Sequence, residues 1–482
     1  MIEYGNKGKI MKREKYQLGM IGLGVMGQNL VMNMGNNGFS VLGFDKNAKK
    51  VNELNTKAGD LNVNGVEKLE QFIQLLEIPR NIMLMVPAGP PVDAVIGDLL
   101  NHLDPGDLII DGGNSYYKDT ELRADTLSEK GIHYLGVGIS GGESGALHGP
   151  SIMPGGPLKV YQRVQPILES IAAKVDGEPC VTYLGPKGAG HYVKMVHNGI
   201  EYGLMELIAE TYDLMKRGLG LDDSQLHSIY QWWNQMETNG YLLEITANIF
   251  SNFDKKTGKR LIDVILDEAN QKGTGQWTAE DAMDLDVPVP SIDIAVAMRN
   301  LSTYKDQREA ASKTLKNGKP KFTGDQEQFI DSLRMALYAG MIITFSQGFS
   351  QLRSASDTYG YRLNLNSIAQ IWRGGCIIRA ALLNEIKTAY NRQPDLPNLL
   401  LDPQLGEDVM RLRESLKTVV CQAAELGIPA PGFMASLAYL DSYRSDWLPA
   451  NLIQAQRDYF GAHTYERIDT KGVFHHQWSP NI

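Results

Sequence analysis

Cysteine is scarce in this chain: three residues in 482, Cys180, Cys376 and Cys421, with no C-x-x-C pair among them. That excludes a disulfide framework and a cysteine zinc site, and it points to thiols kept reduced inside a cell. Positive charge is also in short supply. A net charge of −9 argues against the broad basic face that nucleic acid demands. It does not exclude anionic small molecules, which need only a local cluster. No run approaches the roughly 18 apolar residues of a membrane span, and no segment is of low complexity. The opening MIEYGNKGKIMKREKYQ lacks the apolar stretch of a signal peptide. The expectation is a cytosolic protein, touching neither membrane nor nucleic acid, whose residues 1–16 form a mobile extension. Nine histidines are present, but without H-E-x-x-H or a spaced carboxylate cluster they do not support a metal site.

What the chain does have is length and a change of pattern. From Gln17 to about Gly185, short apolar runs (LGMIGL, VLGFD, NIMLMV, DLIID, HYLGVGI and CVTYL) alternate with helical stretches. Such alternation predicts an α/β domain with a mostly parallel sheet wrapped on both faces. Beyond Gly188 long helices take over. The expected division is a Rossmann-like dinucleotide-binding domain over 17–187, an all-helical domain over 188–445 and a tail over 446–482. The tail is rich in aromatic and polar residues, shows no sustained helical stripe and must dock on something else. A weak internal duplication runs through the helical half. KMVHNGI (194–200) followed by LHSIYQWW (226–233) resembles MALYAGM (335–341) followed by NSIAQIWR (366–373). The second copy has Met335, Tyr338, Ala339 and Ile342 where the first has Lys194, His197, Asn198 and Glu201.

The first candidate site is Gly22-Leu23-Gly24-Val25-Met26-Gly27, which ends the first strand and opens a helix. A lone G-x-G-x-x-G is a weak signal, but here a second strand follows and closes in Asp45, as a dinucleotide fingerprint requires. Its bland reading is a glycine turn with no ligand. Asp45 would accept ribose hydroxyls and favour NAD; Lys46 beside it would neutralise a 2′-phosphate and favour NADP. Asn114, in DGGNS, falls at the carboxyl edge of the sheet, where ligands bind. Gly138-Ile139-Ser140-Gly141-Gly142 formally matches G-x-S-x-G, the nucleophile elbow of hydrolases, but a hydrolase using Ser140 is a remote alternative because the first strand already carries a dinucleotide turn. An anion-binding turn is the better reading, against the bland one of a turn that merely needs small residues.

GHYVKMVHNGIEYG supplies the chemistry. Lys194, His197, Asn198, Glu201 and Tyr202 form one polar stripe at helical spacing, where an amphipathic helix would place its core face. Lys194 and Glu201 lie about 10 Å apart along such a helix, enough to hold a short substrate between an amine and a carboxyl. A desolvated amine can serve as base and a carboxyl in the same pocket as acid. The bland reading is a solvated face. Lys272 and Thr274 sit in a glycine-bracketed loop suited to phosphate; Arg299 and Arg457, taken singly, read as surface charges.

Together GLGVMG, DGGNS, GISGGESGALHGPSIMPGG, GAGHYVKMVHNGIEYG, QKGTG and LIQAQRDYFGAHTYE resemble the 6-phosphogluconate dehydrogenase family over nearly the whole chain. The resemblance implies that Lys194 is the general base and Glu201 the acid of an oxidative decarboxylation. It implies that Asn114, Ser140, Gly141, Gly142, His197 and Asn198 hold the sugar acid. Tyr202, Lys272, Thr274, Arg299 and Arg457 would hold the phosphate, with His463 beside them. NADP would be held by residues 22–27 with Asp45, Lys46, Asn47, Val86, Pro87, Ala88 and Asn114. It further implies a homodimer whose tails complete each other's sites, and no metal. Three departures stand out: Asp45-Lys46-Asn47 replaces the usual Asn-Arg-Thr, which leaves NAD use open. Pro87 stands where some members have Lys, and Gln276 replaces the Lys of GTGKW. The alternatives are another β-hydroxyacid dehydrogenase or a catalytically silent NADP-binding protein. The first would leave Lys272, Arg299 and Arg457 without a phosphate; the second would leave Lys194 and Glu201 without a role.

Overall fold

The computed structural model describes residues 15–315, 318 and 320–478. Of the expected mobile extension, residues 1–14 lie outside the described residues. Tyr16 is tied down: its N–H donates to Leu75 O at 2.9 Å, and Glu77 N–H donates back to Tyr16 O at 3.0 Å.

The first half is a seven-stranded sheet in the order β3-β2-β1-β4-β5-β6-β7. Its strands are β1 (Leu18–Ile21), β2 (Val41–Phe44), β3 (Val63–Val66), β4 (Asn81–Leu84), β5 (Leu108–Asp111), β6 (His133–Ser140) and β7 (Ser151–Gly155). Every pair is parallel except β6 with β7. Helices α1 (Val25–Asn36), α2 (Ala48–Ala58), α3 (Leu69–Leu75), α4 (Pro90–Leu100), α5 (Tyr117–Ser128), α6 (Gly142–His148) and α7 (Leu158–Ile171) cover both faces. Alternation along each strand divides the side chains between two cores. Leu18, Met20, Met83, Leu108 and Ile110 enter one; Ile21, Ile82, Leu84 and Ile109 enter the other.

Two strands escaped the sequence pattern, and one expected strand is not in the sheet. VNGV has only two apolar residues. SIMPG contains Pro154, which an antiparallel edge strand tolerates because its N–H side need not be paired. CVTYL contributes only an isolated bridge, Val181 to Ile152; a five-residue apolar run cannot by itself be told from a buried connection. The hairpin β8 (Lys174–Val175) and β9 (Glu178–Pro179) precedes it.

The second half is helical. It runs through α8 (Ala189–Asp213), α9 (Asp223–Trp233), α10 (Tyr241–Phe250), α11 (Thr274–Asp284), α12 (Pro290–Ser302) and α13 (Lys305–Thr314). It continues with α14 (Gln326–Tyr359), α15 (Leu365–Trp372), α16 (Leu382–Arg392), α17 (Pro403–Leu426) and α18 (Pro431–Tyr443). The duplicated pattern maps onto α8 with α9 and α14 with α15, and the two long helices pack on each other. Tyr338, Ala339 and Ile342 of the second copy are buried. Contrary to the sequence expectation, α14 is long and apolar enough to cross a membrane, but 78% of that window is buried inside the protein.

The tail corrects another expectation. It forms a helix, α19 (Ala450–Gly461), and a hairpin of β10 (Tyr465–Glu466) and β11 (Val473–Phe474). What holds it is polar. The buried Asp458 carboxylate accepts from Thr464 N, His476 N, His475 Nδ1 and Trp478 Nε1. Leu452, Ile453, Phe460 and Ile468 stay exposed.

Candidate active site

The turn between β1 and α1 is shaped for a phosphate. A Cβ on Gly22 would lie 2.5 Å from Met85 O, and one on Gly27 only 1.9 Å from Gly22 O. Among the described residues no side chain caps α1, whose N-cap is Gly24, and its first turn, Val25 and Met26 included, holds no acid. Its free N–H groups are thus open to an anion at the positive end of the helix. Beside the turn, Gly22, Phe44, Asp45, Lys46, Val86 and Leu99 line part of a cavity of about 200 Å³. Pro87 and Ala88 follow Val86 in the loop before α4, and Asn47 caps α2 through its side chain. These features fit a dinucleotide, with its pyrophosphate on α1 and its adenosine in the cavity. Asn114 is exposed just past the carboxyl end of β5.

The glycines of HYLGVGIS alternate and therefore share one face of β6, against which α8 packs. A Cβ on Gly190 would fall 2.3 Å from Gly136 O, and one on Gly138 would fall 2.4 Å from Lys194 Cβ. Any side chain at 138 would displace the lysine. This close approach is why the polar stripe lies inside the protein: Lys194 is 4% exposed, His197 0% and Asn198 9%.

Within the site, Asn198 Nδ2 donates to Thr274 Oγ1 at 3.1 Å, which leaves Oδ1 facing His197 Nδ1 at 2.9 Å. The proton of the neutral imidazole then sits on Nδ1, and Nε2 accepts from the Ser140 hydroxyl at 3.3 Å. Burial, with the Lys194 charge adding to it, holds His197 well below its usual pKa. Among the described residues, Lys194 Nζ meets only that same Nδ1, at 3.4 Å. Burial lowers its pKa to about 8, against the opposing pull of Glu201 and Cys376. Glu201 makes no hydrogen bond to any described residue. Burial raises it above the ordinary carboxylate range, although Lys194 and Arg299 work the other way. An amine inclined to lose its proton and a carboxyl inclined to keep one face the same space.

The cationic end is built around Tyr202, whose ring lies 3.5 Å beneath the Arg299 guanidinium. Thr274 is buried at the start of α11 and Lys272 is exposed just before it. Gly141 and Gly142 open α6 with positive φ angles of 138° and 61°. Arg457 and His463 are not brought to this pocket within the single chain. Both are exposed, and Arg457 bonds Gln454 inside the tail.

Sequence reasoning missed three groups. Cys376 is fully buried, with its thiol pushed up to about 12 by desolvation despite the Lys194 charge. Glu206 lies near Arg299 and is pushed up to about 7 by burial. Asp281 is buried and takes three tyrosine hydroxyls, from Tyr117, Tyr192 and Tyr359. The G-G-C run was a usable hint for the first. The other two carry no local signal.

A dinucleotide turn at the start of α1, together with a long buried helix, α8, that bears a depressed amine and a raised carboxyl, defines the class: a nicotinamide-dependent dehydrogenase. Comparison with known proteins narrows it. Residues 17–185 match the family model for the NAD binding domain of 6-phosphogluconate dehydrogenase, and residues 190–478 match that for its C-terminal domain. The chain belongs to the 6-phosphogluconate dehydrogenase family. It is 53% identical to the NADP(+)-dependent, decarboxylating enzyme of Bacillus subtilis (strain 168), over 96% of this chain and 99% of that one. It is 50% identical to the decarboxylating enzyme of Escherichia coli (strain K12), with the same coverage. Among solved structures, 6-phosphogluconate dehydrogenase of Plasmodium falciparum, studied apo, with NADP+ and with 6-phosphogluconate, superposes with a TM-score of 0.93 at 43% identity. That match covers 96% of this chain and 100% of the other.

Proposed function

We propose that the chain oxidises and decarboxylates 6-phospho-D-gluconate to D-ribulose 5-phosphate and CO2, with reduction of NADP. The observation that carries this is the pairing on α8: Lys194 lowered to about 8 and Glu201 raised, both by burial. When bound, the nicotinamide supplies the acceptor for the hydride that leaves C3 of the sugar acid. Lys194, in its neutral form, takes the proton of the 3-hydroxyl as C3 is oxidised. It then returns that proton to the 3-keto oxygen, so that the electrons freed as CO2 departs are held in an enediol rather than a bare carbanion. Glu201 protonates the carbon that lost CO2, C1 of the five-carbon enediol, while neutral Lys194 takes back the enol proton, and the ketose results. Lys194 as base, acid and base again, with Glu201 as a separate acid, balances every proton once Lys194 returns its last one to Glu201.

Ser140, Gly141, Gly142, His197, Asn198 and Asn114 hold the sugar acid in this reading; Tyr202, Lys272, Thr274 and Arg299 hold its phosphate. The protein is cytosolic in this reading, and the exposed apolar residues of the tail support a homodimer in which Arg457 and His463 of each subunit complete the pocket of its partner.

The test is turnover. 6-Phosphogluconate and NADP should give NADPH and CO2 in equal amounts. Cofactor binding without either product would remove the proposal.

A further inference from the structure

The adenosine end of the cofactor site raises a question that the family alone leaves open, because Asp45 and Lys46 argue for different cofactors. Asp45 proves to be occupied. Its Oδ2 accepts from Leu23 N at 2.9 Å and from Lys50 Nζ at 3.2 Å, while Oδ1 accepts from Asn47 N at 2.9 Å. The carboxylate closes the β2–α2 turn and is charge-paired, so it is a weaker ribose acceptor and a weaker repeller of phosphate than a free Asp there would be. Lys46 is occupied too. Its Nζ bonds Asp98 Oδ2 at 3.1 Å, reaching from the end of β2 to α4 across the cavity that both residues line. Lys49 meets Glu53 at 4.0 Å. Each ammonium around the place of a 2′-phosphate thus has a carboxylate partner.

A 2′-phosphate carries nearly two negative charges and needs unshared cations. Here it must draw Lys46 away from Asp98 and then bear the charge that Asp98 retains. NAD, with a neutral hydroxyl at that position, meets neither obstacle. We propose that Asp98 is a specificity-determining residue: by holding Lys46 it keeps the adenosine end near neutrality, and the protein uses NAD alongside NADP. Asp98 acts through Lys46, and its effect falls on cofactor choice rather than on the chemistry at Lys194. The inference rests on the reaction proposed above.

The experiment measures kcat/KM for NADP and for NAD, with saturating 6-phosphogluconate, in the full-length protein and in Asp98→Asn, Lys46→Gln and the double variant. The unaltered protein should favour NADP over NAD by less than about a hundredfold; a larger ratio overturns dual use. Because the pair is exposed and screened, Asp98→Asn should raise the NADP-to-NAD ratio about five- to tenfold. The change should come through KM for NADP and should shrink at high salt. Lys46→Gln should erase that gain in the double variant. A ratio within about twofold of the parent in Asp98→Asn, or a gain that survives loss of Lys46, overturns the role of Asp98. Failure to turn over 6-phosphogluconate with either cofactor would instead remove the underlying function.

Discussion

Two buried polar clusters sit within a few residues of each other on α8, and they are built on opposite rules. At Tyr192, Asp281 accepts from Tyr117 at 2.5 Å, from Tyr359 at 2.8 Å and from Tyr192 itself. Each phenol finds an acceptor, and the cluster ties α5, α8, α11 and α14 together. At Lys194, two residues on, the ammonium has one polar neighbour among the described residues, at 3.4 Å, whose nitrogen is already donating elsewhere. Full hydrogen bonding turns a buried charge into an anchor. Withholding partners from one moves its pKa towards neutrality and leaves it ready to exchange a proton. The same helix therefore meets a structural charge, Asp281 of α11, at Tyr192 and carries a reactive one at Lys194, distinguished by how many partners each was given.

Lys194→Met tests the contrast most severely. Turnover should fall by about a thousandfold or more, as loss of a general base requires, while 6-phosphogluconate still binds by calorimetry. Retention of a tenth of the parent rate would place the base elsewhere. Glu201→Gln should cost less, about a hundredfold, and in the later protonation rather than in hydride transfer. Rapid-mixing measurement of nicotinamide reduction separates the two steps. Unimpaired ribulose 5-phosphate release would take Glu201 out of the mechanism.

Stability should move the other way at the reactive charge. A lysine whose pKa falls from 10.5 unfolded to about 8 folded costs the native state about 3 kcal/mol, at roughly 1.4 kcal/mol per unit. That cost is present in full below pH 8, because the unfolded chain holds its proton more tightly. It fades as pH rises from about 8 towards 10.5. Lys194→Met should accordingly be more stable than the parent at pH 7 in denaturant titrations, with the advantage shrinking above pH 8. Activity should climb around pH 8, where the folded amine loses its proton, and level off about one unit above. A variant destabilised at pH 7 would mean that the amine is better satisfied than its single contact indicates.

The two clusters also differ in how much of them could be read from the chain. The β1 turn, the α8 stripe and the strand–helix alternation are local patterns, set by residues a few positions apart. The stripe was ambiguous only because a polar face can point to water or into a cavity. The glycines at 136, 138 and 190 decide it, and their effect depends on which surfaces meet. Asp281 gave no such signal. Its partners lie 164, 89 and 78 residues away, and a lone Asp on a short helix reads as surface charge. Asp98 is hidden likewise, 52 residues from Lys46. Long-range pairing of charges is set by topology, and a one-dimensional pattern does not contain it.

Asp281→Asn gives the smallest expected effect and the finest test. An amide keeps Oδ1 for Tyr117 and Tyr359 but replaces the oxygen that faces Tyr192 with an N–H donor. Gln351 Nε2 already points at the Tyr192 hydroxyl from 3.4 Å, so the phenolic proton would be enclosed by donors with no acceptor. One orphaned buried hydroxyl costs about 1–3 kcal/mol, and the loss should appear as a lower denaturant midpoint with the slope unchanged. Tyr192→Phe in the same background removes the stranded hydroxyl, so the double variant should recover about half of that loss or more. Turnover in the double variant should stay within about tenfold of the parent, because Lys194 keeps its burial and its single contact. If instead Asp281→Asn left stability untouched and abolished turnover, the division between an anchoring charge and a reactive one would fail, and Asp281 would belong with the chemistry.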